Sequence, residues 1–226
     1  MKEASDAILR TEQAAYLEGL EPPRDPLLAR MERLAADRGL PISDPEVASF
    51  LAVTARACSP KLIIELGTNI GYGAIVLSRA AGENAKVITV ELSEELCKTA
   101  RSFVREAGLA TRVEVVQGDA IAVLETLATP IDFAYVDCVK TDYPRYLELL
   151  VPRLSERGVI VADNVLWRGQ VARPDAPGTD AERARALGAF NEALVRHPSL
   201  RGVVLPLGDG VAYAVKTGGR MAPRHS

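Results

Sequence analysis

The stretch from Lys61 to Ala81, KLIIELGTNIGYGAIVLSRAA, carries an apolar run, a glycine turn and a helical pattern in immediate succession. Leu62, Ile63, Ile64 and Leu66 form a short, nearly continuous apolar run, the signature of a strand buried on both faces. Gly67 and Gly71 let the chain turn sharply and let its backbone approach a neighbour closely. A helix is expected over 74–82. The same texture continues downstream. KVITVEL (86–92), RVEVVQ (112–117), IDFAYVD (131–137) and GVIVADN (158–164) read as further buried strands, with helical stretches at 94–107, 120–128, 143–155 and 180–197.

Alternating strands and helices predict an α/β chain: a doubly wound, Rossmann-like sheet with helices on both faces. Two more strands, GVVLPL and GVAYAVK, are joined by Leu207-Gly208-Asp209-Gly210. That connection is too short for a crossover and fits a hairpin. The expected sheet is therefore seven-stranded and mostly parallel, with the last strand antiparallel.

Upstream, residues 1–60 read as a helical cover. Leu27, Leu28, Met31, Leu34 and Ala35 share one face at helical spacing, and Gly39 is a plausible stop. Ser43, Pro45 and Glu46 suggest the next helix start, as cap, first-turn proline and capping-box acid. That helix carries Val47, Phe50, Leu51 and Thr54. The organisation expected is a single domain, with the cover at 1–60, a ligand-binding core at 61–217 and a flexible glycine-rich tail at 218–226.

The 226 residues, 48% hydrophobic and 25% charged, suit a globular domain with a sizeable core and exclude a disordered chain. A net charge of −3 and a pI of about 5.6 speak against a nonspecific nucleic-acid binder and leave a local basic patch open. Cys58, Cys97 and Cys138 are odd in number and unpaired in spacing, as expected of reduced thiols in a cytoplasmic protein. The charged N-terminus lacks an apolar signal core, and no run spans a membrane.

In doubly wound sheets, ligands sit at the carboxyl ends of the strands. Glu65, Gly67, Thr68, Asn69, Gly71, Tyr72 and Gly73 mark the first such end, and Glu91 the second. Glu91 is placed to accept hydrogen bonds from ribose hydroxyls. A dinucleotide turn would need glycine at 69 and 72, where this chain has Asn69 and Tyr72. Glu65 would repel phosphates and suits the ammonium of an amino-acid tail. Both points favour S-adenosylmethionine over NAD; a purely structural glycine turn is the alternative.

Asp137 ends the fourth strand, and Asp163 and Asn164 end the fifth. Two carboxylates and an amide carbonyl beside one cleft suit a hard divalent cation: magnesium, with calcium or manganese as alternatives. The absence of a Cys-x-x-Cys pair, with only two histidines in the chain, makes zinc a poor match. Lys140 follows Asp137 by three residues and is a candidate general base. Partial desolvation and a nearby cation favour the neutral amine that such a role needs. Trp167 reads equally as a loop anchor or as a wall that stacks on a flat substrate ring. Cys97 and Cys138 read as small core fillers.

Taken together, ELGTNIGYG, VITVELSEE, VDCVKTDYPRY, GVIVADNVLWRGQVA and LPLGDGVAYAVK resemble the cation-dependent O-methyltransferases, the family of catechol and caffeoyl-CoA enzymes. The resemblance runs from about residue 25 to 216. It implies a cation on Asp137, Asp163 and Asn164, with Lys140 as base. It implies S-adenosylmethionine against Ser43, Glu65, the 67–73 loop, Glu91 with Leu92, Gly118, Asp119 and Ala120, and Asp137 with Val139. Lys140, Asn164 and Trp167 would face the substrate. The family loop often ends in serine where this chain has Gly73, and a family Asp is replaced by Val139.

The expected reaction is methyl transfer to one hydroxyl of a vicinal aromatic diol in a cytoplasmic enzyme. Bacterial and plant relatives of this kind are commonly homodimers. Alternatives are a tRNA hydroxyuridine methyltransferase on the same scaffold, an NAD-dependent oxidoreductase, and a non-catalytic cofactor-binding protein.

Overall fold

A computed structural model describes residues 11–20 and 25–218. The tail expected at 218–226 lies outside the described residues apart from its first position. The chain opens with α1 (Thr11–Leu20), α2 (Pro26–Arg38) and α3 (Pro45–Cys58). Asp25 caps α2 by accepting from the Leu27 and Leu28 N–H groups, and Gly39 closes it in the left-handed conformation. Its expected apolar face is the buried one: Leu27, Met31 and Ala35 are covered.

The start of α3 differs from expectation by one residue. Asp44, not Ser43, is the cap residue. The Ser43 hydroxyl instead lies 2.8 Å from the Tyr135 hydroxyl inside the protein. Pro45 opens the helix as expected, because the amide it lacks would have had no intrahelical partner there.

The core alternates as read: β1 (Leu62–Leu66), α4 (Tyr72–Ala81), β2 (Lys86–Glu91), α5 (Glu94–Glu106), β3 (Val113–Gln117), α6 (Ala120–Thr126) and β4 (Ile131–Val136). There follow a 3-10 turn (Lys140–Asp142), α7 (Tyr143–Arg153), β5 (Leu154–Ala162), a second 3-10 turn (Gln170–Ala172), α8 (Ala181–Arg196), β6 (Leu200–Leu205) and β7 (Val211–Lys216). Helix α4 begins at Tyr72, earlier than expected, so Tyr72 and Gly73 belong to its first turn. Strand β5 also begins early. A bulge at its start, with Arg157 at φ 66°, separates the Leu154 pairing from the regular register that begins at Val159.

The sheet order is β3-β2-β1-β4-β5-β7-β6, with β7 antiparallel to both of its neighbours. Strand order reverses between β1 and β4, which opens a crevice at their carboxyl ends. Each strand sends alternate residues to opposite faces. Ile63, Phe133 and Val159 pack under α2 to α5, and Ile64, Ala134 and Ile160 under α6 to α8. Among the described residues no helix is long and apolar enough to cross a membrane.

Candidate active site

Parallel register sets the floor of the crevice. Thr89, Glu65, Tyr135 and Val161 are successive partners across β2, β1, β4 and β5, so they form one row on one face of the sheet. Above this row lies a cavity of about 880 Å³. Its wall brings together Ser43, Glu65, Gly67, Thr68, Asn69, Tyr72 and Gly73 with Glu91 and Leu92. Gly118, Asp119 and Ala120 line it from beyond β3, and Asp137, Val139, Lys140, Asn164 and Trp167 complete it. Two expected residues stand behind the wall. Gly71 packs on Ala100 of α5, and Asp163 is 1% exposed beneath the surface.

The turn after β1 is built by close approach. Gly67 has φ 102°, and a Cβ there would run into the Asp137 carbonyl. The glycine therefore lets two strand ends meet. Asn69 takes φ 48°, a conformation asparagine tolerates, and its side-chain amide donates to the Pro41 carbonyl. This contact ties the turn to the segment before α3. Glu91 accepts from the Asn69 N–H at 2.9 Å and from the Ser93 N–H at 2.9 Å. These bonds hold its carboxylate at the cavity edge.

Thr68 and Tyr72 point their hydroxyls elsewhere. Thr68 Oγ1 is 2.6 Å from Thr89 Oγ1, and the Tyr72 hydroxyl donates to Glu32 of α2. Both residues offer the cavity main chain and carbon. Glu65 accepts from the Thr89 hydroxyl at 2.5 Å. Burial, together with the charges of Asp137 and Glu91, pushes its carboxyl up to about 8, against the Thr89 hydrogen bond. A Cβ at Gly73 would strike Glu65 Oε1. Glycine replaces the family serine where the Glu65 carboxyl fills the space.

At the other half of the cavity, the Lys140 Nζ donates to Asp137 Oδ1 at 2.7 Å and to the Tyr143 hydroxyl at 2.7 Å. Lys140 is only 7% exposed, so it is not a solvated surface charge. Asp163 Oδ1 accepts from the Asn164 N–H at 2.7 Å, and Oδ2 accepts from the Tyr135 hydroxyl at 3.3 Å. Burial first, then the charge of Asp137, pushes the Asp163 carboxyl up to about 7 against the pull of Lys140. The acids are therefore close enough to feel each other. Among the described residues there is no group of three or more His, Cys, Asp or Glu that could hold a metal. The donors here are two acids and an amide.

Trp167 packs against the core cluster that includes α8 and also lines the cavity. The Arg183 guanidinium lies 5.6 Å from its ring centre. Burial pushes the Cys138 thiol up to about 12, which leaves it an inert wall atom. Sequence reasoning missed Tyr135, Tyr143 and the α8 residues at the mouth. Period-two spacing could have found Tyr135, which shares a face with Asp137. Nothing local points α8 at the cleft. A second, more open hollow of about 710 Å³ follows edge strand β3. Three of its four lining cations are engaged by main-chain carbonyls: Lys86 by Thr111, Arg101 by Val115, and Arg112 by Ser78 and Gly82.

This sheet order, with a glycine turn after β1, an acid ending β2 and a cavity across both, suits a ligand that carries a ribose. A family model described as O-methyltransferase matches residues 25–217, and the chain belongs to that family. A catechol O-methyltransferase from Niastella koreensis is 33% identical, over 84% of this chain and 90% of the relative. Tricin synthase 1 from rice is 31% identical, over 84% and 81%. The crystal structure of a Bacillus cereus O-methyltransferase in complex with SAH is similar at a TM-score of 0.82 and 28% identity, covering 92% of this chain and 98% of that one. TomG from Streptomyces achromogenes, in complex with SAM, gives 0.82 at 26% identity, over 93% and 100%. The chain is an S-adenosylmethionine-dependent O-methyltransferase.

Proposed function

We propose that this enzyme methylates one hydroxyl of a vicinal aromatic diol with the help of a divalent cation. The observation that supports the reading is that Asp137, Lys140 and Asn164 line one end of the cavity, with Asp163 just behind them and within reach of the Asp137 charge. The donor chemistry fits a hard cation. The Asp163 carboxyl is raised by burial and then by the charge of Asp137, Lys140 pairs with Asp137, and Asp137, Asp163 and Asn164 each offer an oxygen donor. Asp137, Asp163 and Asn164 would hold the cation, which when bound stabilises a substrate oxyanion.

Glu65 would accept the cofactor's ammonium and Glu91 its ribose hydroxyls, and Gly118 to Ala120, with Leu92 and Val139, would border its base. The donor, when bound, presents an electrophilic methyl. Lys140 stands within reach of the same end and, as the neutral amine left after its own proton has passed to solvent, takes the hydroxyl proton at Nζ. Trp167, braced by Arg183, walls the acceptor. The 1–60 cover carries Ser43 and the Pro41 contact, and the 61–217 core supplies the rest. A homodimer belongs to this reading, and light scattering checks it.

The experiment is a methyl-transfer assay over catechols, caffeoyl esters and tRNA, with magnesium and with excess chelator. Transfer to a catechol that stops on chelation is expected. Full activity in chelator refutes the cation, and transfer to tRNA alone refutes the acceptor.

A further inference from the structure

Trp167, the only tryptophan of the chain, sits in a strained turn. Trp167 (φ 48°), Arg168 (φ 54°) and Gly169 (φ 75°) follow one another in the left-handed region. Glycine suits that conformation, but for the bulky Trp167 and Arg168 it is costly and persists only where surrounding contacts impose it. Those contacts come from elements further along the chain. Asn191 of α8 donates to the Val165 carbonyl at 2.8 Å. From the hairpin between β6 and β7, the Gly210 and Asp209 carbonyls accept from the Val165 and Leu166 N–H groups at 3.0 and 3.1 Å. Asp209 Oδ1 accepts from the Arg168 N–H at 2.7 Å, inside the left-handed run itself. A Cβ at Gly210 would run into Leu166, so the hairpin lies directly against the turn. Asp209 is 9% exposed and stands outside the cavity wall, whereas Trp167 lines it. A nearly buried acid away from the cavity thus holds the backbone from which a wall residue projects.

We propose that Asp209 is a positioning residue for acceptor orientation. By fixing the left-handed turn at Trp167 and Arg168 it sets the indole against the acceptor ring, and so decides which of two neighbouring hydroxyls meets the donor methyl. This rests on the reading of Trp167 as the acceptor wall given above. A turn held under strain presents the indole in one orientation, where a relaxed turn would allow several.

The test follows two signals in the 226-residue chain. Intrinsic indole fluorescence reports Trp167 alone. Methylation of 4-methylcatechol, with magnesium and S-adenosylmethionine, gives two separable products whose ratio reports ring orientation. Asp209→Ala removes the acceptor for the Arg168 N–H, and Asp209→Asn keeps one. In the double variant Asp209→Ala/Arg168→Gly, glycine adopts the left-handed backbone without help. Asp209→Ala is expected to shift the emission to longer wavelength as water reaches the indole, and to bring the product ratio toward one. Its KM for 4-methylcatechol is expected to rise about tenfold, since misplacing a bound group by about 1 Å costs up to about 100-fold. Its affinity for S-adenosylhomocysteine is expected to stay unchanged. Asp209→Asn and the double variant are expected to keep the wild-type emission and ratio. A wild-type ratio near one, a ratio unmoved in Asp209→Ala, or an Asp209→Asn as impaired as Asp209→Ala overturns the proposal. If Asp209→Ala does not fold, the double variant decides: a wild-type ratio supports the proposal, and an altered ratio or failure to fold overturns it. A wild type that methylates no catechol refutes the acceptor reading and this proposal with it, whereas an active wild type with the ratio unmoved in Asp209→Ala refutes this proposal alone.

Discussion

Replacing Glu65 by glutamine removes one ionisable proton from the cavity floor and leaves the shape almost unchanged. In the folded chain the Glu65 carboxyl is raised from 4.5 to about 8 by burial and by Asp137 and Glu91. At neutral pH it is therefore mostly protonated without ligand. An acid raised on folding contributes stability that is fully present below its unfolded value and is lost as pH rises through the folded one. Between pH 4.5 and 8 the wild type should lose stability at up to about 1.4 kcal/mol per pH unit from this group alone. Denaturant titrations at several pH values should show that slope flatter by about this amount in Glu65→Gln.

The same carboxyl makes a second reading available. If Glu65 meets the cofactor's ammonium, it must ionise, and binding of S-adenosylhomocysteine at pH 7 should release up to about 0.9 proton. Calorimetry in buffers of different ionisation enthalpy counts that proton. The count should fall by the same amount in Glu65→Gln, with affinity weakened about tenfold or more by loss of a charge-assisted hydrogen bond. Equal proton release in wild type and variant, or an unaltered pH slope of stability, would refute the assignment.

Asp163→Ala should abolish methyl transfer, as should a chelator, while S-adenosylhomocysteine still binds by calorimetry; retained turnover contradicts the cation site. Lys140→Met should lower kcat by about 100-fold or more, the usual scale for a general base, with the thermal transition retained. Gly67→Ala combines a positive φ with a clash against the Asp137 main chain and should cost about 2–5 kcal/mol, read as a fall in Tm of roughly 5–15 °C. Asp132 accepts from the Lys61 and Leu62 N–H groups and from the Ser155 hydroxyl, so Asp132→Ala should cost about 1–3 kcal/mol in denaturant unfolding with the cavity intact.

Most of the architecture could be read from the chain because its signals are local. The apolar runs at 62–66, 131–136 and 158–162 are buried on both faces, and a strand of that kind can pair only inside a sheet covered by helices. The hairpin at Leu207 to Gly210 follows from length alone, and β7 does run antiparallel to its neighbours. The strand-end acids were legible because a doubly wound sheet gathers its carboxyl ends in one place. Boundaries were less legible: Ser43 resembles a cap by composition, yet Asp44 holds the position.

Local sequence pattern by itself determined the α/β alternation, the glycine turn and the acids that end β2, β4 and β5, since each depends on residues a few positions apart. Only the tertiary structure decided what those groups face. Register across three strands put Thr89, Glu65 and Tyr135 in one row, and backbone contact at Gly67 set the separation of two strand ends. The Ser43 hydroxyl found a partner 92 residues away in sequence. Such contacts depend on how the sheet twists and how the cover docks, and no short window of sequence carries that information.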